Sequence, residues 1–176
     1  MQRHQVLIVD GYNVIRNNER YAGLGIDYDN SAWNKAREAL INDAAQVAQE
    51  SYEHCTVVFD GAGNPQSTGE VTREAGIDVI FSPAGVSADS VIERLAHDAR
   101  ERDFEVVVVS SDFTIQTTVF GGGVTRMSAA AFTIDTVAVE SERKRLAKQP
   151  AATKRTIADR IDPQTRAALE ALRDGE

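Results

Sequence analysis

The sequence predicts an α/β protein, a three-layer sandwich in which helices cover both faces of a mainly parallel central sheet. Short runs rich in Val and Ile are bounded by turn-forming residues, as is typical of strands buried on both faces. These runs alternate with longer segments whose apolar residues recur at helical spacing. Alternation of this kind is the pattern of repeated strand and helix units around a parallel sheet.

The first half of the chain begins with one such strand and continues into a loop and a helix. Residues 6–9 form the apolar run, and it ends at Asp10 and Gly11. Residues 11–30 contain several Gly and Asn residues, which predict a long irregular loop at the carboxyl end of this strand. From Asn30 onward, apolar residues at helical spacing predict a helix that continues to about Glu50.

The remaining elements follow from the same two patterns. Strands are predicted at residues 56–59, 77–81 and 105–110, and helices at 87–102, 113–120 and 129–148. Because Gly121 to Gly123 follow a predicted helix, we interpret them as its C-terminal cap and not as a phosphate-binding loop. Pro163 opens a final short helix. We expect one domain at residues 1–148 and a basic helical extension at 149–176, packed on or beside it.

Composition excludes several classes of protein. The apolar fraction is 42%, and no apolar run reaches the roughly 20 residues of a membrane helix. The start of the chain shows no signal-peptide pattern, so a cytoplasmic protein is expected. Cys55 is the only cysteine and the three histidines lack zinc spacing, so a bound metal would need oxygen ligands, which favours Mg²⁺ or Mn²⁺.

Acidic residues occur where the predicted strands end. Asp10, Asp60 and Asp112 each follow an apolar run, and Asp89 lies at the start of a predicted helix. The carboxyl ends of parallel strands meet at one edge of a sheet, where ligands of such proteins bind. The pattern therefore predicts a divalent-metal site, with Glu93 on the helical face of Asp89 as an outer ligand.

Each acid also has a simpler structural interpretation. Asp10 and Asp60 precede glycine and could form turns, while Asp112 and Asp89 suit the start of a helix. Glu93 could be a solvated helix charge. Clustered carboxylates, however, raise one another's pKa values and cost stability unless cations compensate. The spacing required by haloacid-dehalogenase phosphatases and receiver domains is absent, which leaves metal-dependent phosphodiester hydrolysis.

Several short motifs resemble the YacP-like branch of NYN-domain proteins over roughly residues 5–135. The matching motifs are Val9-Asp10-Gly11-Tyr12-Asn13, Val58-Phe59-Asp60, Ala88-Asp89 with Glu93, Ser111-Asp112-Phe113-Thr114 with Gln116, and Phe120-Gly121 followed by Arg126-Met127-Ser128-Ala129. The chain departs from the family pattern at Gly61, where alanine is common, and at Ser90, where an acid is common.

The resemblance implies a PIN-like nuclease fold with an acidic pocket for one or two divalent cations. It implies endonucleolytic cleavage of RNA, and the best understood relatives act on mRNA at the ribosome. On this basis Asp10, Asp89 and Asp112 are expected to bind Mg²⁺ or Mn²⁺, with Asp60 and Glu93 in support. Asn13 would orient Asp10 or a phosphate oxygen.

Basic and aromatic residues supply the expected contacts with RNA. Arg16, Arg20 and Arg126 are candidates for the phosphate backbone, and Tyr12 or Tyr21 for stacking a base. Although the net charge is -8, a basic run spans the end of the predicted domain and the start of its extension, and we expect contacts with RNA or the ribosome from Lys144, Arg145, Lys154 and Arg155. Part of this run also suits the end of a helix, where cations are favoured.

Two other functions remain open at the level of sequence. The chain could be an RNA-binding or ribosome-binding module of the same fold that does not cleave. It could also be a metal-dependent phosphohydrolase that acts on small molecules. Activity on nucleotides but not on polymers would distinguish the second alternative from a nuclease.

Overall fold

The sheet is mainly parallel, as predicted. The computed structural model describes residues 4–24, 30–112 and 124–148, and within these residues six strands form one sheet in the order β3-β4-β2-β1-β5-β6. All neighbouring strands are parallel except β3 and β4. The strands are β1 (Gln5–Asp10), β2 (His54–Phe59), β3 (Val71–Glu74), β4 (Ile77–Phe81), β5 (Glu105–Val109) and β6 (Val124–Met127).

Helices cover both faces of this sheet. They are α1 (Gly11–Arg16), α2 (Glu19–Ala22), α3 (Asn30–Ser51), α4 (Ala88–Glu101) and α5 (Ala129–Lys148). Side chains along β1 alternate between the faces: Leu7 and Val9 join a core with α1, α2, α3 and the start of α5. Val6 and Ile8 join a second core with α4. The predicted three-layer α/β sandwich is therefore confirmed.

The long helices and the central strands lie where the sequence predicts them. The irregular loop predicted for residues 11–30 is wrong. Much of this segment is helical, because Asp10, interpreted as a possible turn residue, and Asn18, interpreted as a breaker, act as helix caps. Asp10 accepts from the N–H of Asn13 at the start of α1, and Asn18 accepts from the N–H of Arg20 at the start of α2. Asn and Asp are among the preferred residues at the start of a helix.

Strand β3 has no counterpart in the sequence prediction. All of its residues are exposed, so it lacks the apolar run that marks a buried strand. It pairs with β4 through a turn at Ala75 and Gly76, both with positive φ. The predicted helix at 113–120, the cap at Gly121 to Gly123 and the helix after Pro163 lie outside the described residues.

The chain divides into two compact units, residues 1–141 and 142–176. The described part of the second unit is the end of α5. The predicted division into residues 1–148 and 149–176 stays a prediction. Among the described helices, none is both long and apolar enough to cross a membrane.

Candidate functional site

The acidic residues predicted to act together lie around one cavity. Strand pairing places Asp10 opposite Val58 and Val9 opposite Val109, so β1, β2 and β5 end at the same edge of the sheet. A cavity of about 500 Å³ opens there, and its lining residues are Asp10, Tyr12, Asn13, Arg16, Asn17, Asp60, Ala88, Asp89 and Asp112. Four of the five predicted ligands thus share one cavity. Glu93 is exposed on α4 and is not part of this lining.

Asp10 is the most buried of these acids, with only 7% of its surface exposed. Its carboxylate accepts from the N–H of Asn13 at 3.4 Å and from the hydroxyl of Ser110 at 3.3 Å. The pKa of Asp10 is raised to about 6, mainly by burial; the charges of Asp89 and Asp112 also raise it, while these two hydrogen bonds lower it. The cavity therefore holds a carboxylate whose negative charge is poorly solvated.

A set of hydrogen bonds joins the end of β1 to the end of β5. The side-chain oxygen of Asn13 accepts from the N–H of Ser111 at 2.7 Å. Ser110 accepts from the N–H of Asp112 at 3.1 Å while donating to Asp10. Asn13 and Ser110 therefore position two of the acids relative to each other. Sequence reasoning missed Ser110 and Ser111, although both stand immediately before Asp112.

Asp89 and Asp60 also line the cavity. Ser87 caps α4 by accepting from the N–H of Ser90, which leaves Asp89 in the first turn of the helix. Partial burial raises the pKa of Asp89, with further contributions from the charges of Asp112 and Asp60. Asp60 is exposed and accepts from the N–H of Ala62 at 2.8 Å. Asp60 therefore forms a turn, as its simpler structural interpretation predicts, and it also lines the cavity.

Gly61 is required by a close approach of two loops. A Cβ atom at this position would lie 2.4 Å from the backbone oxygen of Ser82. The N–H of Gly61 donates to the hydroxyl of Ser82 at 2.9 Å, and the N–H of Ser82 donates to the carbonyl of Phe59 at 2.9 Å. This chain has Gly61 where alanine is common in the family, and the close packing of the loop after β2 against the end of β4 explains the difference.

The predicted RNA-binding residues fall into several environments. Tyr12 and Arg16 line the cavity. Arg20 pairs with Asp43, with Nε to Oδ2 at 2.6 Å, and with Glu140 at 3.3 Å, so it has structural partners and its contact with RNA stays a prediction. Tyr21 is fully buried and donates to Asp43, which leaves no ring face for a base.

The other predicted RNA contacts are Arg126 and the four residues of the basic run. Arg126 is half-buried in β6, in register with Val108, and does not line the cavity. Lys144 and Arg145 belong to the second unit, where Arg145 pairs with Glu142 at 2.7 Å. Lys154 and Arg155 lie outside the described residues. For all four residues of this basic run, contact with RNA or the ribosome stays a prediction.

The donor chemistry of the cavity fits a hard divalent cation. Its charged oxygen donors are carboxylates, the ligands that Mg²⁺ and Mn²⁺ prefer. A bound cation would also offset the repulsion that contributes to the raised pKa values of Asp10 and Asp89. As placed in the described part of the chain, no three His, Cys, Asp or Glu side chains form a group that could hold a metal ion. The fit therefore rests on donor type and charge.

Comparison with known proteins agrees with this architecture. The family model for the YacP-like NYN domain matches residues 7–174. The chain belongs to the YacP-like NYN-domain family. The match includes the region predicted as a C-terminal extension, and it confirms the resemblance carried by the short motifs. The YacP-like chain therefore has the predicted NYN class of α/β fold.

Relatives from Bacillus subtilis extend the comparison. YacP of strain 168 is 31% identical over 124 residues, which covers 70% of each chain. The crystal structure of Rae1 (YacP) gives a TM-score of 0.66 at 26% identity and covers 97% of this chain and 95% of that one. The crystal structure of a Rae1 point mutant gives a TM-score of 0.65 at 27% identity, with 95% of this chain and 99% of that one covered. The solved YacP structures thus align with nearly the whole chain.

Proposed function

We propose that the protein is a divalent-metal-dependent endoribonuclease that cleaves mRNA in association with the ribosome. The observation that carries this proposal is the cavity lined by Asp10, Asp60, Asp89 and Asp112 at the carboxyl edge of the sheet. Membership of the YacP-like NYN family supports a nuclease on this fold. Action on ribosome-associated mRNA would place the protein in the cytoplasm.

In the proposed site, Asp10, Asp89 and Asp112 hold Mg²⁺ or Mn²⁺, while Asp60 and Glu93 act as supporting or water-mediated ligands. When bound, the cation supplies Lewis-acid chemistry toward the phosphate and the attacking water. Asp10 brings a charge that burial leaves poorly solvated, and Ser110 and Asn13 hold the two strand ends in place. Tyr12 and Arg16 would contact the RNA beside the acids.

The first test is cleavage of total RNA, with and without translating ribosomes, in Mg²⁺, Mn²⁺ or EDTA. We expect internal cuts that require a divalent cation, and we expect Asp10→Asn, Asp89→Asn and Asp112→Asn to abolish them. Asp98→Asn is the matched control, because Asp98 is an exposed acid farther along α4. Wild-type cleavage by the Asp89 or Asp112 variant would contradict a shared site.

The same experiment separates the alternative functions. Binding of RNA with no cleavage under any cation would favour a non-catalytic module, and hydrolysis of free nucleotides alone would favour a small-molecule phosphohydrolase. Thermal melting supplies a readout that is independent of activity. A cation that binds only the folded protein raises its melting temperature, and the triple Asn variant should lose this response.

A further inference from the structure

Aromatic rings extend from the acidic cavity across the carboxyl edge of the sheet. Tyr12 contacts Trp33 edge-on with ring centroids 5.2 Å apart, and it contacts Phe59 at 5.1 Å. Phe59 in turn stacks on Phe81 at 5.2 Å. Phe59 is fully buried, whereas 37% of Phe81 is exposed and Tyr12 and Trp33 are half-buried. Three of the four rings thus reach the surface.

Two arginines lie against these rings. The guanidinium carbon of Arg16 is 6.0 Å from the ring centroid of Tyr12 and 5.9 Å from that of Trp33. The guanidinium carbon of Arg37 is 5.6 Å from the ring centroid of Phe81, and its Nη1 donates to the Tyr12 hydroxyl at 2.8 Å. We refer to Tyr12, Arg16, Trp33, Arg37 and Phe81 as the arginine–aromatic surface.

Arg16 and Arg37 differ in their partners from Arg20 and Arg73. Arg20 and Arg73 form ion pairs with Asp43 and Asp78. Among the described residues, no carboxylate forms an ion pair with Arg16 or Arg37, and the hydrogen-bond partners of Arg37 are the neutral side chains of Tyr12 and Asn34. Within the described part of the chain, neither guanidinium is therefore neutralised by a carboxylate.

The arginine–aromatic surface joins two depressions. Tyr12 and Arg16 line the acidic cavity. Arg37 and Phe81 line a neighbouring groove of about 410 Å³, together with Glu38 and Glu74. The hydrogen bond from Arg37 to Tyr12 connects the two. An RNA strand whose reacting phosphate lies at the acidic cavity could continue over Arg16 and Trp33 and enter the groove beside Arg37.

We propose that the arginine–aromatic surface is a nucleotide subsite beside the acids, and that it binds unpaired nucleotides next to the cleaved phosphate. This inference rests on the proposed nuclease function. Aromatic rings and arginine planes bind unstacked bases, which an intact duplex does not present. The acids in the groove disfavour a phosphate there, so Arg37 and Phe81 contact a base, while Arg16 contacts a phosphate beside the cavity.

Trp33 is the only tryptophan in the chain, which makes its fluorescence a direct probe of this surface. The wild-type protein is titrated in EDTA with a short unstructured oligoribonucleotide and, separately, with a duplex of the same strand. We expect the single strand to quench Trp33 and to bind at least about tenfold more tightly than the duplex. Equal affinity for both RNAs, or unchanged fluorescence at saturation with the single strand, overturns the inference.

Substitutions then distinguish the two arginines. We expect Arg16→Gln and Arg37→Gln each to weaken single-strand binding about tenfold, which corresponds to about 1.4 kcal/mol. Arg16→Gln should also reduce the slope of affinity against salt by about one phosphate contact, whereas Arg37→Gln should leave the slope unchanged. The matched control is Arg102→Gln, because Arg102 is exposed and lines a different groove with Phe104.

The outcomes separate this inference from the proposed function. If both variants bind like the Arg102 control, the arginine–aromatic surface is structural, even where cation-dependent cleavage is intact. If single-strand binding and quenching occur but no cation supports cleavage, the proposed nuclease function fails and the binding surface stands. Arg16 is exposed, so its variant tests the surface without disturbing the core.

Discussion

Asp10 combines a structural role with a charge that the fold solvates poorly. The residue ends β1 and caps α1, and burial together with the charges of two other acids raises its pKa. An asparagine at this position would still accept from the N–H of Asn13, because Asn caps helices about as well as Asp. Replacing Asp10 by Asn therefore separates the charge from the cap.

The raised pKa of Asp10 predicts how its variant changes stability with pH. The pKa of Asp10 is about 6 in the folded protein, against an ordinary value of 3.8. Protonated Asp10 therefore contributes its full stabilisation below pH 3.8, and this contribution is lost as the pH rises through the folded pKa of about 6. In the metal-free wild type, the free energy of unfolding should fall across this window by roughly 3 kcal/mol relative to Asp10→Asn.

Urea unfolding in EDTA, measured from acid to neutral pH on both proteins, tests this prediction. Asp98→Asn serves again as the control and should follow the wild type. A difference between wild type and Asp10→Asn that does not change with pH would contradict the raised pKa. Unfolding of the variant at every pH would instead make the carboxylate itself essential to the fold.

Individual acids were predictable, but most of their partners were not. Asp10, Asp60 and Asp112 follow recognisable apolar runs, so their common edge follows from the geometry of parallel strands. The hydrogen bonds from Ser110 to Asp10 and from Ser111 to Asn13 join residues far apart in sequence, and no local pattern marks such pairs. The contact between Gly61 and Ser82 could not be predicted from the sequence for the same reason.

At the scale of elements, Asn13 is the link between the β1–α1 junction and the end of β5. Asn13→Ala removes the acceptor for the N–H of Ser111, and losing one hydrogen bond should cost about 1 kcal/mol of stability. Residues that orient metal ligands typically change metal affinity or activity by about 10–100-fold. We therefore expect Asn13→Ala to need a higher Mn²⁺ concentration for half-maximal cleavage.

A titration of cleavage against Mn²⁺ measures this effect. Asn64→Ala is the control, because Asn64 makes a comparable bond to the N–H of Gln66 in an exposed turn. If Asn13 is only structural, Asn13→Ala should lower stability to the same extent as Asn64→Ala and leave the Mn²⁺ midpoint unchanged. The midpoint therefore decides between a positioning role and a packing role.

Elements with strong apolar periodicity were predicted well, and short or exposed elements were not. Helices α3 and α4 carry buried stripes and lie close to their predicted bounds. Helices α1 and α2 have few residues, and their capping Asp and Asn residues were interpreted as turn formers. Strand β3 is exposed along its length, so its pairing with β4 is set by the turn between them and not by an apolar run.

At the scale of the whole molecule, charge is distributed unevenly. The net charge is -8, yet Arg143, Lys144, Arg145 and Lys148 cluster at the end of α5. In the second unit, Arg145 pairs with Glu142, and this contact lowers the pKa of Glu142. A polyanion would have to compete with this exposed pair, which costs little because exposed ion pairs are weak.

Neutral replacements at Lys144, Arg145, Lys154 and Arg155 should weaken binding to RNA or ribosomes. The slope of affinity against salt should fall by up to about four phosphate contacts. Cation-induced stabilisation at the acidic cavity should be unchanged, which provides the internal control. Wild-type affinity and salt slope in this variant would assign the docking role to other basic residues, such as Arg16 and Arg126.

The junction between β1 and α1 limits where the chain can change length. Strand β1 ends at Asp10 and α1 begins at Gly11, so no linker residue separates them. A Cβ atom on Gly11 would lie 2.3 Å from the ring of Phe59. One inserted residue would rotate the following helix by about 100° and carry Asn13 and Arg16 away from the acids. Evolutionary insertions are therefore better accommodated at the exposed residues 63–66, between β2 and β3, than at this junction.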